Sequence, residues 1–301
     1  QLNLSAAGTD IGGSAVSDVG YNVTAQLIKP DFLRRDQSLE YNIAALKQSL
    51  QAYDQRAVTT GIALHRKLSK RWNVSIGVSG EEEWITQEGA KHRYTLVSLP
   101  LNAKYDSTGL PDLLQDPTHG VRLSVTATPT KSFGGANPVF VTLQGSGSFY
   151  YDLAKMGLSR PGRSVIAIRA LLGSIQGASQ FELPPDERFY GGGSGTVRGY
   201  KYQSIGPLFP DNNPVGGAAF SAAAVEVRQH VVGHFGIAAF VDAGQVSTTS
   251  APFDGKYRFG VGGGLRYYTA IGPIRLDVAV PLNRPPGGDS FDLYIGLGQA
   301  F

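Results

Sequence analysis

Few residues in this chain have the type and spacing to do chemistry. There is no cysteine, which excludes a disulfide scaffold, a thiolate metal site and a cysteine nucleophile. The five histidines are scattered and form no nucleophile–base arrangement. His230 and His234 stand four apart, but they flank a predicted strand turn rather than one face of a helix, so the spacing does not make a metal pair. Gly191–Gly195 is glycine-rich enough to cradle a phosphate, yet no strand-to-helix passage surrounds it. Glu81-Glu82-Glu83 reads as a solvated strand end near a loop, not as paired catalytic carboxylates. The reading is therefore of no enzyme: no catalytic residue, no metal and no cofactor. What remains is Arg198, a permanent cation inside a long glycine- and aromatic-rich segment. If that segment is enclosed, the guanidinium needs anionic partners.

The elements that must position Arg198 come from composition and period. The 301 residues include 39 glycines, roughly 13% against a usual share of about 7%. They also hold 14 tyrosines, 14 phenylalanines and one methionine. Charged residues are 17%, below the typical value of about 25%. Hydrophobic content of 42% is too high for a disordered chain, and a net charge of +3 does not point to nucleic acid. No apolar run reaches the roughly 18 residues of a membrane-spanning helix. This balance suits a large all-β protein, including barrels that cross membranes with strands.

Period-two segments recur throughout. Trp72, Val74, Ile76 and Val78 alternate with Asn73, Ser75, Gly77 and Ser79, and Phe235, Ile237, Ala239 and Val241 alternate with Gly236, Ala238, Phe240 and Asp242. The apolar face is aliphatic and ends in aromatics, the pattern of a lipid belt with aromatic girdles. Fourteen strands are predicted, at 2–9, 20–30, 37–49, 53–67, 71–86, 91–106, 119–130, 138–151, 164–176, 218–230, 234–246, 257–269, 273–281 and 291–301. Pro100 predicts a bulge or local break in the sixth. In the last, Phe291, Leu293, Ile295, Leu297 and Phe301 are expected on one face, interrupted once by Gln299. The strand-free stretch is 178–217; a loop that long is taken as functional.

Parity gives Arg198 its partners. Phe235, Ile237 and Val241 facing lipid put Asp242 inward, and Val225 and Val227 facing lipid put Glu226 and Arg228 inward. Arg258, Arg266, Arg275, Asp277 and Asp292 follow to the inside, making a polar lumen.

The run from Arg188 to Pro207 resembles the long inward-folded loop of the outer-membrane surface-antigen superfamily, the BamA/TamA-type barrels that assemble membrane proteins and move polypeptides. Val197-Arg198-Gly199-Tyr200 matches its Val/Ile-Arg-Gly-Tyr/Phe tetrad. Phe240-Val241-Asp242-Ala243-Gly244 resembles its Phe-x-Asp-x-Gly strand motif, and Ile271-Gly272-Pro273-Ile274-Arg275 a late hairpin. The terminal Phe301 resembles the closing residue of such barrels. Lys201-Tyr202 and Ser204-Ile205 look most like the TamA branch.

The resemblance implies an antiparallel transmembrane β-barrel of the bacterial outer membrane, with the loop folded into the lumen. Arg198 is expected to bridge Asp242 and Glu226, with Phe240 and Gly244 beside them. It further implies an assembly or translocation factor whose lateral seam lies at Phe291, Leu293, Gly296, Gly298 and Phe301. Gly296 and Gly298 are expected to weaken that seam. The implied partners are outer-membrane lipid, unfolded outer-membrane or autotransporter substrates, and an inner-membrane-anchored TamB-like protein. A two-partner secretion transporter for one dedicated substrate and a passive porin are the alternatives. Nine strands precede the loop and five follow it, so residues 1–301 are expected to be the last fourteen strands of a sixteen-stranded barrel. The first two strands and the periplasmic POTRA domains are expected to be absent.

Overall fold

The computed structural model describes residues 1–9, 20–112, 114–284 and 288–301. One antiparallel sheet holds fifteen strands. They are β1 (Leu2–Thr9), β2 (Gly20–Lys29), β3 (Gln37–Ser49), β4 (Asp54–Lys67), β5 (Trp72–Gln87), β6 (Ala90–Ser98), β7 (Leu101–Asp106) and β8 (Gly120–Phe133). After them come β9 (Val139–Asp152), β10 (Ser164–Gln176), β11 (Ala219–Val232), β12 (Phe235–Ser247), β13 (Arg258–Thr269), β14 (Gly272–Pro281) and β15 (Asp292–Leu297). Among the described residues no helix is long and apolar enough to cross a membrane; the strands make the wall.

Neighbours in sequence are neighbours in the sheet, with β6 and β7 sharing the place between β5 and β8. The split falls at Leu99-Pro100, where proline has no N–H for the ladder. Pairing continues across the gap through the Leu99 N–H to the Pro129 carbonyl and the Gly77 N–H to the Pro100 carbonyl. One expected strand is thereby two, and fourteen become fifteen. β1 pairs with β2 and β15 with β14, and the two do not pair with each other, so the barrel is not closed.

Each strand separates two environments. In β12, Phe235, Ile237 and Val241 stand on the outer face while Ala238, Phe240 and Asp242 are buried within. The same outer apolar face runs over Ile76 and Val78, Leu123 and Val125, Val225 and Val227, and Ile274, Leu276 and Val278. These side chains have no protein to cover them, and hydrocarbon is the medium that would. Residues of the 178–217 loop pack on the inner face of this wall. Leu183 joins Ile85, Leu96, Phe140 and Ile175 in one apolar cluster. Val197, Tyr200 and Ile205 join Phe220, Ala222 and Val246 in a second.

Two expectations are corrected by the wall itself. Glu81-Glu82-Glu83 is not a solvated strand end: Glu83 has no exposed surface, because strand parity turns residues 81, 83 and 85 into the lumen and only 82 and 84 outward. The last strand does not run to 301. It ends at Leu297, and Gly298 takes a φ of +82° that turns the chain out of the ladder. Gln299 and Phe301 therefore lie inside rather than on the lipid face. Phe301 packs on the buried Tyr150, Val165 and Ala167, and its carbonyl accepts from Arg228 Nη2 at 2.9 Å.

Candidate functional site in the barrel lumen

The loop between β10 and β11 folds back on itself through short bridges, Phe189 with Gly217, Gly191 with Ile205 and Leu208 with Pro214. Its stem is held by Arg188, buried and donating to the Leu183 carbonyl at 2.9 Å, the Val215 carbonyl at 3.0 Å and Gln87 Oε1 at 3.2 Å. Arg188 thus ties both ends of the loop to β5. Sequence reasoning passed over it; its place at the start of the aromatic-glycine run was the available signal.

At the loop's tip Arg198 is fully buried. Its Nε and Nη2 donate to the two carboxylate oxygens of Asp242 at 2.7 and 2.9 Å, a bidentate pair, and its backbone N–H donates to Asp242 Oδ2 at 3.0 Å. Nη1 donates to Glu226 Oε2 at 2.8 Å and stands 3.5 Å from Asp277 Oδ2. The guanidinium lies 3.3 Å above the centre of the Phe240 ring. Burial disfavours its charge, but the bonds and charges of Asp242 and Glu226 outweigh burial and hold its pKa above the usual arginine range.

The neighbouring tetrad residues complete the fit. Val197 is buried against Phe220, Ala222 and Val246. Gly199 has a φ of +91°, its N–H donates to the Tyr294 hydroxyl at 3.0 Å, and a Cβ there would lie 2.9 Å from the Val280 carbonyl carbon. The Tyr200 hydroxyl donates to Asn283 Oδ1 at 2.6 Å and lies 3.0 Å from the Phe259 carbonyl. Gly244 leaves room for Val197, since a Cβ would come within 2.6 Å of Val197 Cγ2. Gly260 on β13, which sequence reasoning missed, lets the loop backbone come closer still: a Cβ there would lie 1.9 Å from the Arg198 carbonyl oxygen.

The charges form one network. Glu226 Oε1 accepts from Arg228 Nε at 2.8 Å and lies 3.5 Å from Arg266 Nη2. Arg266 Nη1 donates to Asp277 Oδ1, and Arg275 Nη1 stands 3.5 Å from Asp277 Oδ2. Asp116, in the turn between β7 and β8, extends the network: it lies 3.3 Å from Arg228 Nη1 and accepts from Gln299 Nε2 at 2.9 Å. Asp292 lies 3.4 Å from the Tyr294 hydroxyl, apart from the arginines. Alternating cations and carboxylates neutralise one another where water is scarce. No group here is arranged as nucleophile and base; the arrangement fixes position.

The remaining residues singled out in the sequence sit apart from Arg198, as their surroundings require. His230 stacks on Tyr268 at 3.6 Å, and His234 meets Tyr267 at 5.9 Å, so each ring has its own partner. On β15, Leu293 and Ile295 point outward, and Phe291 is exposed just before the strand. Gly296 faces inward, where a Cβ would lie 2.8 Å from Arg275 Nε; that glycine makes room for an arginine.

A family model described as the Omp85 superfamily domain matches residues 3–301. The outer membrane protein assembly factor BamA of Neisseria meningitidis serogroup B is 25% identical over 154 residues, 40% of this chain and 19% of that protein. BamA from Haemophilus ducreyi lacking POTRA domains 1–3 has a similar structure, with a TM-score of 0.73 at 18% identity over 91% of this chain and 61% of that one. CdiB from Escherichia coli gives 0.58 at 16% identity, covering 94% and 53%. CdiB from Acinetobacter baumannii gives 0.53 at 12%, covering 97% and 57%. At these identities the structures show a shared fold. The chain spans less than two thirds of each of these relatives.

Proposed function

Since the chain belongs to the Omp85 superfamily and is a bacterial outer-membrane β-barrel protein, we propose that it serves as a non-enzymatic factor that inserts or translocates other polypeptides at that membrane. The observation that carries this is the loop held across the lumen by Arg198 on Asp242, Glu226 and Asp277. A passive porin needs an open channel, and the burial of the loop residues Val197, Tyr200 and Leu183 against wall residues supports an occupied lumen instead. The substrate's path then lies at the wall, where β15, with Leu293 and Ile295 outward, would template an incoming strand by β-augmentation. In this reading 178–217 is the lumen loop of one barrel domain over 1–301, and the Val197–Tyr200 tetrad is its lock.

Lys201-Tyr202 and Ser204-Ile205 favour the TamA branch, with autotransporter-type substrates and a TamB-like inner-membrane-anchored partner. Two-partner secretion of a single dedicated substrate is the second reading, favoured by the shared fold of the CdiB barrels. Arg198→Ala tests the lock. The variant is expected in the outer membrane at near-normal level with substrate assembly reduced at least tenfold, measured by the rate at which a barrel or autotransporter substrate becomes protease-resistant. Undiminished assembly in that variant overturns the proposal, and planar-bilayer conductance of an open pore, indifferent to Arg198, returns the porin reading.

A further inference from the structure

Outside the Arg198 network, a second group of carboxylates faces the lumen with no cation within 4 Å among the described residues. Glu81 and Glu83 stand two apart on the inner face of β5, and Asp186 reaches them from the short turn Pro185–Glu187 in the loop. One carboxylate oxygen of each lies within 4.8 Å of the other two. The ion pairs among the described residues all involve other groups.

The hydrogen bonds here are lopsided. Gln55 Nε2 donates to Glu83 Oε2 at 2.8 Å and to Asp186 Oδ2 at 2.9 Å, which fixes one oxygen of each. Thr59 Oγ1 donates to Glu81 Oε2 at 3.2 Å. Glu83 Oε1 and Asp186 Oδ1 are left buried with no partner, and Glu83 as a whole has no exposed surface. A buried carboxylate oxygen without donor or cation is costly and calls for a ligand.

We propose that Glu81, Glu83 and Asp186 form a divalent-cation site that ties the lumen loop to β5. All donors are oxygens, with no imidazole or thiolate, which selects a hard cation. Oxygens up to about 5 Å apart can share a Ca²⁺, whose ligand distances are about 2.3–2.6 Å. The long, flexible Glu side chains suit its variable geometry better than the strict octahedron of Mg²⁺. The rival occupant of the same space is a proton shared between Glu83 and Asp186, and the test separates the two.

The chain is refolded in detergent, stripped of metal and titrated with Tb³⁺, excited through nearby tyrosines such as Tyr53, and then with competing Ca²⁺. The expected result is one site whose Tb³⁺ emission Ca²⁺ displaces, with net proton release on Ca²⁺ addition at neutral pH. Glu83→Gln is expected to weaken Ca²⁺ binding at least tenfold. Glu82→Gln, one residue away but facing outward, is expected to leave it unchanged. Should Glu83→Gln fail to fold, Asp186→Asn on the loop carries the same expectation. Absence of Ca²⁺-displaceable emission overturns the site, as does equal affinity in parent and variant, or a protonated-carboxyl infrared band that persists at saturating Ca²⁺. None of these readouts depends on substrate assembly, so the site and the proposed function fail separately.

Discussion

At the residue scale, Arg198 shows why a buried charge can organise a structure without adding much stability. Removing two or three ions from water costs energy that their attraction repays only when geometry is good. Here the geometry includes a bidentate pair, a second carboxylate and an aromatic face. Removing Arg198 leaves Asp242 buried with no other ion pair among the described residues, a loss of about 3–5 kcal/mol. The fit depends as much on what is missing as on what is present, since the Arg198 carbonyl passes where a Cβ of residue 260 would be. Gly260→Ala is therefore expected to push the loop off its seat at a cost of about 1–3 kcal/mol, seen as protease nicking within 178–217 and a lowered urea midpoint. Gly195→Ala, with nothing within 4 Å of the added methyl, is the control and should change neither.

At the element scale, the end of β15 is set by contacts across the lumen mouth. Gly298 turns the chain inward, and a Cβ at that position would lie 3.2 Å from Leu114 in the β7–β8 turn. Asp116 of the same turn holds Gln299 and Arg228, while Phe301 rests over the Arg169 guanidinium at 4.8 Å. One turn thus restrains the tail of a strand distant in sequence. Asp116→Asn keeps the shape but loses the charge facing Arg228. It is expected to raise amide hydrogen exchange in residues 298–301 by about tenfold, worth about 1.4 kcal/mol, while β11 and β12 keep their protection. Equal exchange in parent and variant would show that Gly298 alone sets the turn.

At the scale of the whole molecule, the protein is inverted relative to a soluble one. Its outer face is aliphatic and its interior is lined by Arg198, Arg228, Arg266, Glu226, Asp242 and Asp277, all essentially buried. The two solvents differ by face, so the same substitution should have opposite tolerance on adjacent residues. Val241→Arg, on the lipid face of β12, is expected to destabilise the barrel in lipid vesicles by about 2–4 kcal/mol if it lies near the midplane. In detergent, which the arginine can reach past, the loss should be smaller. Equal losses in vesicles and detergent would mean that residue 241 does not contact hydrocarbon.

Much of this was legible in the residues. Alternation of the Phe235-Gly236-Ile237 kind places strands and assigns their faces, because side chains point to opposite sides at every step. Parity alone directs Asp242 and Glu226 inward, and the Val197–Tyr200 tetrad marks the loop. Pro100 announces its break because a missing N–H is a property of one residue. Other features arise only when distant segments meet. Glu83 looks like one of three solvated acids until the loop brings Asp186 against it and Gln55 holds both. Phe301 continues the alternation on paper, but in space the turn at Gly298 and the Leu114–Asp116 contacts remove it from the strand. Gly260 carries no local pattern, since it acts through the absence of a side chain, and Arg188 carries only its place at the start of the aromatic-glycine run, since it acts mainly through backbone carbonyls. Local sequence determined which face of each strand meets lipid, because that depends on single residues and a fixed period. Tertiary structure decided which buried charges find partners, because that depends on closures across more than a hundred residues, such as Asp116 to Arg228.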